Sequence, residues 1–271
     1  MGLFLYLGFS ITLEILQSTI QLALIQSDLV WNNPIANRIY FDRQIKKLTE
    51  VDVIILPELF TTAFCMEGTP EQMDGETIKW MSSKAKESSA AICGSLIILE
   101  NDKRYNRFVW VSPNGQIAYY DKRHLFSLLK EESFFTAGTH RKIISYKGWK
   151  IFPQICYDLR FPVFSRNDEG YDLLLYVANW PSRRIEAWDK LLQARAIENQ
   201  SYVAGVNRVG LDANKVSFPG HSAVYDALGQ TVSYSSDKAS ILTAELSKDK
   251  LMSYRSKLPF LKDQDKFTLS S

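Results

Sequence analysis

Three residues of this 271-residue chain stand where reactive side chains are out of place. Cys156 ends the apolar run "KIFPQIC" and is followed at once by the charged stretch "YDLR". A thiol at the end of a strand-like run sits at a sheet edge, where a small molecule can reach it, and its thiolate is a strong nucleophile. A buried structural cysteine leaves the same trace in sequence. Glu58 is the second anomaly, because "VIILPELF" carries a carboxylate to the end of a run suited to burial. An isolated buried carboxylate is costly, so it must be paired or protonated, and burial raises its pKa toward the range of proton exchange near neutrality. A structural ion pair satisfies the same demand. Lys122, in "AYYDKRHLF", follows a β-rich stretch and precedes an aromatic and aliphatic one. Its ammonium there either neutralises Glu58 and holds an oxyanion, or is solvated, as most lysines are.

A cysteine nucleophile needs a base, and the chain has three histidines. No spacing rule pairs His124 with Cys156, and a half-buried histidine satisfied by hydrogen bonds fits that position. His221, in "PGHSAVYD", suits a loop-positioning role, and His140 reads as a solvated loop residue. Cys93 lies inside an apolar strand pattern and belongs to the core. Cys65, in "TTAFCME", is placed near a pocket without a motif of its own.

These side chains have to be held by elements that alternate along the chain. "TIQLALIQSDLVW" reads as a first strand, and "NRIYFDRQIKKLTE" has helical spacing with Ile39, Phe41, Ile45 and Leu48 on one face. "VDVIILPEL" reads as a strand buried on both faces, "ETIKWMSSKAKESSA" as a helix and "AAICGSLIILE" as a strand. "RFVWVSPNGQIAYYDKRH" carries a hairpin signal at Pro-Asn-Gly. "KIISYKGWKIFPQIC" is a second strand pair turning near Lys147 and Gly148, and "YDLLLYVANW" is a strand. "RRIEAWDKLLQARAIENQ" is the clearest helix, with Ile185, Trp188, Leu192 and Ala196 near one stripe. "SYVAGVNRVG", "SAVYDALGQTVSYS" and "ASILTAELS" add three strands. No repeat or linker divides the chain. The expectation is one layered α/β domain with mixed sheets, and the absence of a Gly-rich turn after the first strand argues against a simple dinucleotide-binding sheet.

Composition narrows the partners. The chain is 46% hydrophobic, enough for a substantial core, and its formal net charge of +2 comes without a basic block, which makes nucleic acid a poor partner. Three cysteines cannot all pair within one chain and none sits in a Cys-x-x-Cys spacing, which favours a reducing compartment and a cytoplasmic location. The apolar start "MGLFLYLGFSITLEILQ" lacks a basic leader, is interrupted by Glu14 and falls short of the roughly 20 residues a membrane span needs. Residues 1–17 are therefore expected to be an extension ahead of a domain over 18–271, with no membrane partner.

Taken together, "LPELF", "YDKRHLF" and "QICYDLRFP" occur in the order and separation of the nitrilase superfamily of carbon–nitrogen hydrolases, which this chain resembles beyond about residue 18. The resemblance implies an α-β-β-α sandwich in four layers, and subunits that pair sandwich to sandwich as a homodimer. It also implies Glu58 as general base and acid, Lys122 as oxyanion stabiliser, Cys156 as nucleophile, and the backbone N–H of Tyr157 as a second oxyanion donor, with no metal or organic cofactor. The family's second glutamate, which orients the lysine and the attacking water, is Glu131 or Glu132 in "LLKEESFFTAG", and the spacing to Gly138 favours Glu131. True nitrilases commonly follow the cysteine with Trp-Glu, whereas Tyr157 and Asp158 follow it here. "CYDLRFP", "LYVANWP" and "QARAIENQSYVAGVNRVG" resemble the bacterial omega-amidase-like group, which hydrolyses the terminal amide of 2-oxo dicarboxylic acid monoamides such as 2-oxoglutaramate and 2-oxosuccinamate. Such a substrate calls for a cation. Arg160 is the first candidate, or else it pairs with Asp158; Arg183 and Arg184 come next, with Phe161 and Trp180 as pocket walls. The competing readings are another branch of the superfamily, such as an N-carbamoyl amino-acid or aliphatic amidase, and a catalytically silent binding protein of the same fold.

Overall fold

The computed structural model describes residues 18–269, so the extension expected over residues 1–17 lies outside the described residues. The first half of the chain forms β1 (Thr19–Gln26), α1 (Pro34–Ile45), β2 (Val53–Ile55), α2 (Glu76–Ser88), β3 (Ala91–Glu100), β4 (Lys103–Val111) and β5 (Ile117–Asp121). The second half forms β6 (Ile144–Tyr146), β7 (Trp149–Ile155), α3 (Pro162–Ser165), β8 (Leu173–Ala178), α4 (Ile185–Asn199), β9 (Tyr202–Asn207), β10 (Val209–Leu211), β11 (Ser217–Pro219), β12 (Ala223–Tyr225), β13 (Thr231–Tyr234), β14 (Ser240–Ser247) and α5 (Lys248–Lys257). One six-stranded sheet has the order β14-β1-β2-β3-β4-β5, and the other β13-β12-β9-β8-β7-β6, while β10 and β11 form a separate ribbon. Each sheet has a parallel centre, β1–β2–β3 or β7–β8–β9, reached through helical crossovers, and antiparallel flanks.

Strand alternation builds the layers. Val53 and Ile55 of β2, Ala91 and Cys93 of β3, and Phe108 and Trp110 of β4 share one apolar cluster with the second sheet, so this face lies between the sheets. Their neighbours Ile54, Ile92, Val109 and Val111 point the other way, onto Phe41 and Ile45 of α1 and Ile78, Met81 and Ala85 of α2. On the far side, α4 lays Trp188, Leu192 and Ala196 against the second sheet. It comes so close that a Cβ on Gly205 of β9 would lie 2.7 Å from Leu192 Cδ1 and 2.8 Å from Trp188. The order is helix, sheet, sheet, helix, which is the four-layer sandwich that the motifs implied. Among the described residues no helix is long and apolar enough to cross a membrane.

Several boundaries differ from the sequence reading. β1 stops at Gln26, before Trp31, because the polar pair Ser27 and Asp28 turns the chain toward α1. That helix starts at Pro34, where the Asn33 side chain accepts the Ala36 N–H, and its buried stripe is Asn37, Phe41 and Ile45. Ile39, two residues off that stripe, is 46% exposed. Asn37 takes its place inward because its amide satisfies the carbonyls of Val30 and Thr61. β2 is only Val53–Ile55, which leaves Glu58 beyond the strand end. "SAVYDALGQTVSYS" is two strands, β12 and β13, broken where Asp226 accepts the Leu228 and Gln230 N–H groups.

Candidate active site

The parallel strands of both sheets end on the same cavity. Cys156 follows the last residue of β7 and opens a 3₁₀ turn, Cys156–Arg160. Its φ of 44° lies in the left-handed region, a costly conformation for a residue with a Cβ, and it turns the thiol out of the strand line. Asp158, fully buried, locks this turn: its Oδ2 accepts the Ile155 N–H at 2.9 Å and the Tyr120 hydroxyl at 2.8 Å, and its Oδ1 accepts the His124 N–H at 2.9 Å and lies 2.8 Å from His124 Nδ1. Asp158 is thus committed to the fold and forms no pair with Arg160. His124 spends its ring nitrogen on Asp158, as expected of a satisfied histidine.

Glu58 is wholly buried just past β2. Its Oε1 accepts Lys122 Nζ at 2.9 Å and Asn106 Nδ2 at 2.9 Å, and its Oε2 accepts the backbone N–H of Asn179 at 2.9 Å. The Asn179 amide in turn donates to the Glu58 carbonyl at 2.7 Å. Lys122 follows β5. Its N–H donates to the Asn106 carbonyl at 3.0 Å, and its own carbonyl accepts the Gly138 N–H at 2.8 Å. Gly138 makes this closure possible, since a Cβ there would lie 2.1 Å from the Asp121 carbonyl oxygen. The loop between carries Glu131, fully buried, whose oxygens lie 3.0 and 2.9 Å from Lys122 Nζ; Oε2 also accepts the Phe126 N–H at 2.6 Å, and Oε1 the Asn106 amide at 3.2 Å. Glu132 is exposed, so Glu131 is the glutamate that meets the lysine.

The electrostatics follow from this arrangement. Burial works against the Lys122 charge, but Glu131 and Glu58 outweigh it and raise the pKa, so the ammonium stays charged. Burial raises the Glu131 pKa, Glu58 adds to the rise, and Lys122 opposes it. Burial also pushes the Cys156 thiol well up, helped by the charge of Glu58 and against the pull of Lys122, while Sγ lies 3.9 Å from the Asn179 carbonyl oxygen. The resting thiol is therefore neutral, with a carboxylate and an ammonium beside it.

Lys122, Cys156, Tyr157 and Asn179 all line a cavity of about 450 Å³. Arg160, Arg183 and Arg184 line it too, with aromatic walls from Trp31, Phe64, Phe126 and Trp180. Cys65 is a further lining residue, and Cys93 is buried in the core between the sheets. Trp180 is where the sequence reading put it, although only 3% exposed, with its Nε1 donating to the Arg184 carbonyl at 2.7 Å. Phe161 is not a pocket wall. The 3₁₀ turn swings it behind the site, where it stacks on His124 at 3.7 Å between centroids and packs edge-on to Tyr157. Asn106 and Asn179 were missed by the sequence reading. Their signal is an amide set in a buried strand, "KRYNRFVWV" or "LLLYVAN", which must find partners. Among the described residues, no group of three or more His, Cys, Asp or Glu side chains is arranged to hold a metal ion.

Comparison with known proteins agrees with this geometry. The carbon-nitrogen hydrolase family model matches residues 14–256. Omega-amidase YafV of Yersinia enterocolitica is 46% identical over 254 residues, 93% of this chain and 99% of that protein. The 2-oxoglutaramate amidase of Bacillus subtilis is 33% identical over 225 residues, 80% of this chain and 86% of that one. The crystal structure of a CN-hydrolase superfamily protein from Xanthomonas campestris, with an arsenic adduct in its active site, superposes with a TM-score of 0.92 at 42% identity, covering 94% of this chain and 100% of that chain.

Proposed function

The chain belongs to the carbon-nitrogen hydrolase family, and from that premise we propose an omega-amidase whose catalytic groups are Cys156, Glu58, Lys122 and Glu131. It hydrolyses the terminal amide of 2-oxo dicarboxylic acid monoamides, 2-oxoglutaramate and 2-oxosuccinamate, to the acid and ammonia. The observation that carries the reading is the buried chain of Glu58, Lys122 and Glu131 opening on the same cavity as Cys156.

Glu58 accepts the thiol proton as Cys156 Sγ attacks the amide carbonyl, so a thiolate forms only as it is consumed. The carbonyl oxygen becomes an oxyanion, held by Lys122 and by the N–H of Tyr157, which as the second residue of the 3₁₀ turn has no partner within that turn. Each donor is worth roughly 3 kcal/mol in the transition state. An ammonium has three N–H groups, so Lys122 can hydrogen-bond the oxyanion with one of them when its two carboxylate partners, Glu58 and Glu131, take one each. Glu58 returns its proton to the leaving ammonia, leaving a thioester on Cys156. Glu58 then takes a proton from water, the hydroxide attacks the thioester carbon, and the proton goes back to the departing sulfur as the acid is released. Arg160, at the cavity, faces the acidic end of the substrate.

We place the protein in the cytoplasm, in line with three free thiols, and as a homodimer, for which exposed Val163, Ile197 and Phe260 offer apolar surface. The test of the function is ammonia release from 2-oxoglutaramate, 2-oxosuccinamate, glutamine and a short nitrile by the wild type and Cys156→Ala. The oxo-acid amides should be turned over fastest and the variant should be inactive. Activity retained by Cys156→Ala, or a nitrile consumed faster than any amide, would overturn the proposal.

A further inference from the structure

Four cations line the catalytic cavity: Lys122, Arg160, Arg183 and Arg184. Lys122 is held by Glu58 and Glu131. Several other arginines withdrawn from solvent are neutralised as well, Arg107 by Asp121 and Glu100, Arg195 by Glu198, Arg208 by Asp28 and Arg255 by Asp172, while Arg104 and Arg166 donate to backbone carbonyls. Arg184, partly withdrawn, and Arg160, exposed at the cavity, have no such counter-ion. Among the described residues neither guanidinium makes an ion pair or a hydrogen bond, and the acids that line the cavity, Glu67 and Asp212, pair with neither.

Both are nevertheless placed. The Arg160 guanidinium carbon lies 5.0 Å from the centroid of Trp180, and that of Arg184 lies 5.0 Å from the centroid of Phe126. A guanidinium over an aromatic ring keeps its in-plane N–H edges available for a carboxylate. The Arg184 backbone is pinned on both sides, its N–H donating to the Pro181 carbonyl at 3.0 Å and its carbonyl accepting Trp180 Nε1 at 2.7 Å. Arg183 is on the same turn and is exposed, whereas Arg184 is partly withdrawn. Burial, with Arg183 and Arg160 adding to it, lowers the Arg184 pKa, and a thiolate at Cys156 would act in the opposite sense. A partly desolvated cation on the nucleophile's cavity, repelled by its neighbours and lacking a counter-ion, is a site that an anion completes.

We propose that Arg184, seconded by Arg160, is the seat of the substrate carboxylate and the residue that selects acidic over neutral amides. The inference rests on the amidase reading of the cavity, and it moves the principal contact from Arg160 and Arg183 to Arg184. The test compares the wild type with Arg184→Gln, Arg184→Lys, Arg160→Gln and, as a control for loss of one exposed charge, Arg43→Gln. Two readouts are used: kcat/KM for 2-oxoglutaramate against pentanamide, and calorimetric binding of 2-oxoglutarate. Arg184→Gln should cost on the order of 10–100-fold in kcat/KM for the acidic amide, through KM, with pentanamide changed less than threefold. It should weaken 2-oxoglutarate binding by a similar factor. Arg184→Lys should recover part of the loss, Arg160→Gln should lose less than Arg184→Gln, and Arg43→Gln should match the wild type. Equal loss on both amides, unchanged 2-oxoglutarate binding in Arg184→Gln, or no binding of 2-oxoglutarate by the wild type would overturn the seat. A wild type that cleaves no amide would sink the amidase reading alone, since calorimetry still decides whether Arg184 holds a carboxylate.

Discussion

Glu131→Gln separates what the buried glutamate does for stability from what it does for the reaction. The carboxylate lies 2.9 Å from Lys122 Nζ, a separation worth about 6 kcal/mol of attraction at an effective dielectric of about 20. Against this stands the cost of burying the anion, several kcal/mol per ion. The balance is legible in the direction of its pKa, which is raised, with burial as the first cause, so the folded protein favours the neutral acid more than water does. The sign for stability follows. At low pH Glu131 is protonated in both folded and unfolded chains and costs nothing. As pH rises past the unfolded carboxyl value the unfolded chain loses its proton first, and the wild type is progressively penalised until the raised folded value is passed. Glutamine removes that penalty while keeping an oxygen for the Phe126 N–H. Glu131→Gln should therefore unfold within about 1 kcal/mol of the wild type at neutral pH, the offset of the two terms above. Its stability relative to the wild type should improve from pH 4 upward. Its kcat should fall on the order of 10²–10³-fold, because Lys122 loses one of the two anions that aim it at the oxyanion. Urea unfolding across that pH range and ammonia release provide the two readouts. A loss above about 3 kcal/mol with activity kept within tenfold would refute the reasoning and make Glu131 a structural counter-ion.

Two further outcomes follow from the site. The Cys156 thiol is pushed up by burial and by Glu58, so inactivation by iodoacetamide should be slow at neutral pH and should rise with pH above the ordinary thiol value of about 8.5; Glu58→Gln should shift that profile downward, and a wild-type midpoint below neutrality would contradict it. Gly138→Ala places a methyl 2.1 Å from the Asp121 carbonyl, so the strand end that carries Lys122 must move; a loss of roughly 1–3 kcal/mol in urea unfolding, with lower kcat, is expected, and unchanged values would show that the loop yields without cost.

Glu58, Lys122 and Cys156 were legible because each violates a local rule: a carboxylate and an ammonium beside apolar runs, and a thiol at the junction of strand and charge. Their assembly was not legible from spacing, since Glu58 and Asn179 meet across 121 residues, and only the ordered motifs tied them together. Phe161 was misplaced because the left-handed turn at Cys156 resets which way later side chains point, and no periodicity survives such a turn. The choice among Arg160, Arg183 and Arg184 depended on one short turn, Pro181 to Arg184, that puts one of two adjacent arginines outward and withdraws the other. Asn106 and Asn179 escaped notice because an amide carries no charge to mark it. The strand and helix pattern survived well in the buried centres of the sheets, where apolar runs are long, and failed at polar ends such as Ser27 and Asp28.

The pairing of β1 with β14 has a consequence for how the protein is made. Thr19 lies opposite Ser247, so one flank of the first sheet is closed by a strand among the last to be synthesised. Until residues 240–247 leave the ribosome, β1 is held only by β2 and exposes a row of unpaired N–H and C=O groups along an apolar strand. The site itself needs both sheets packed together, because Glu58 follows β2 of the first and Cys156 follows β7 of the second. A nascent or truncated chain that ends before β14 has a sticky edge on one of those two sheets, which makes it a substrate for chaperones and proteases.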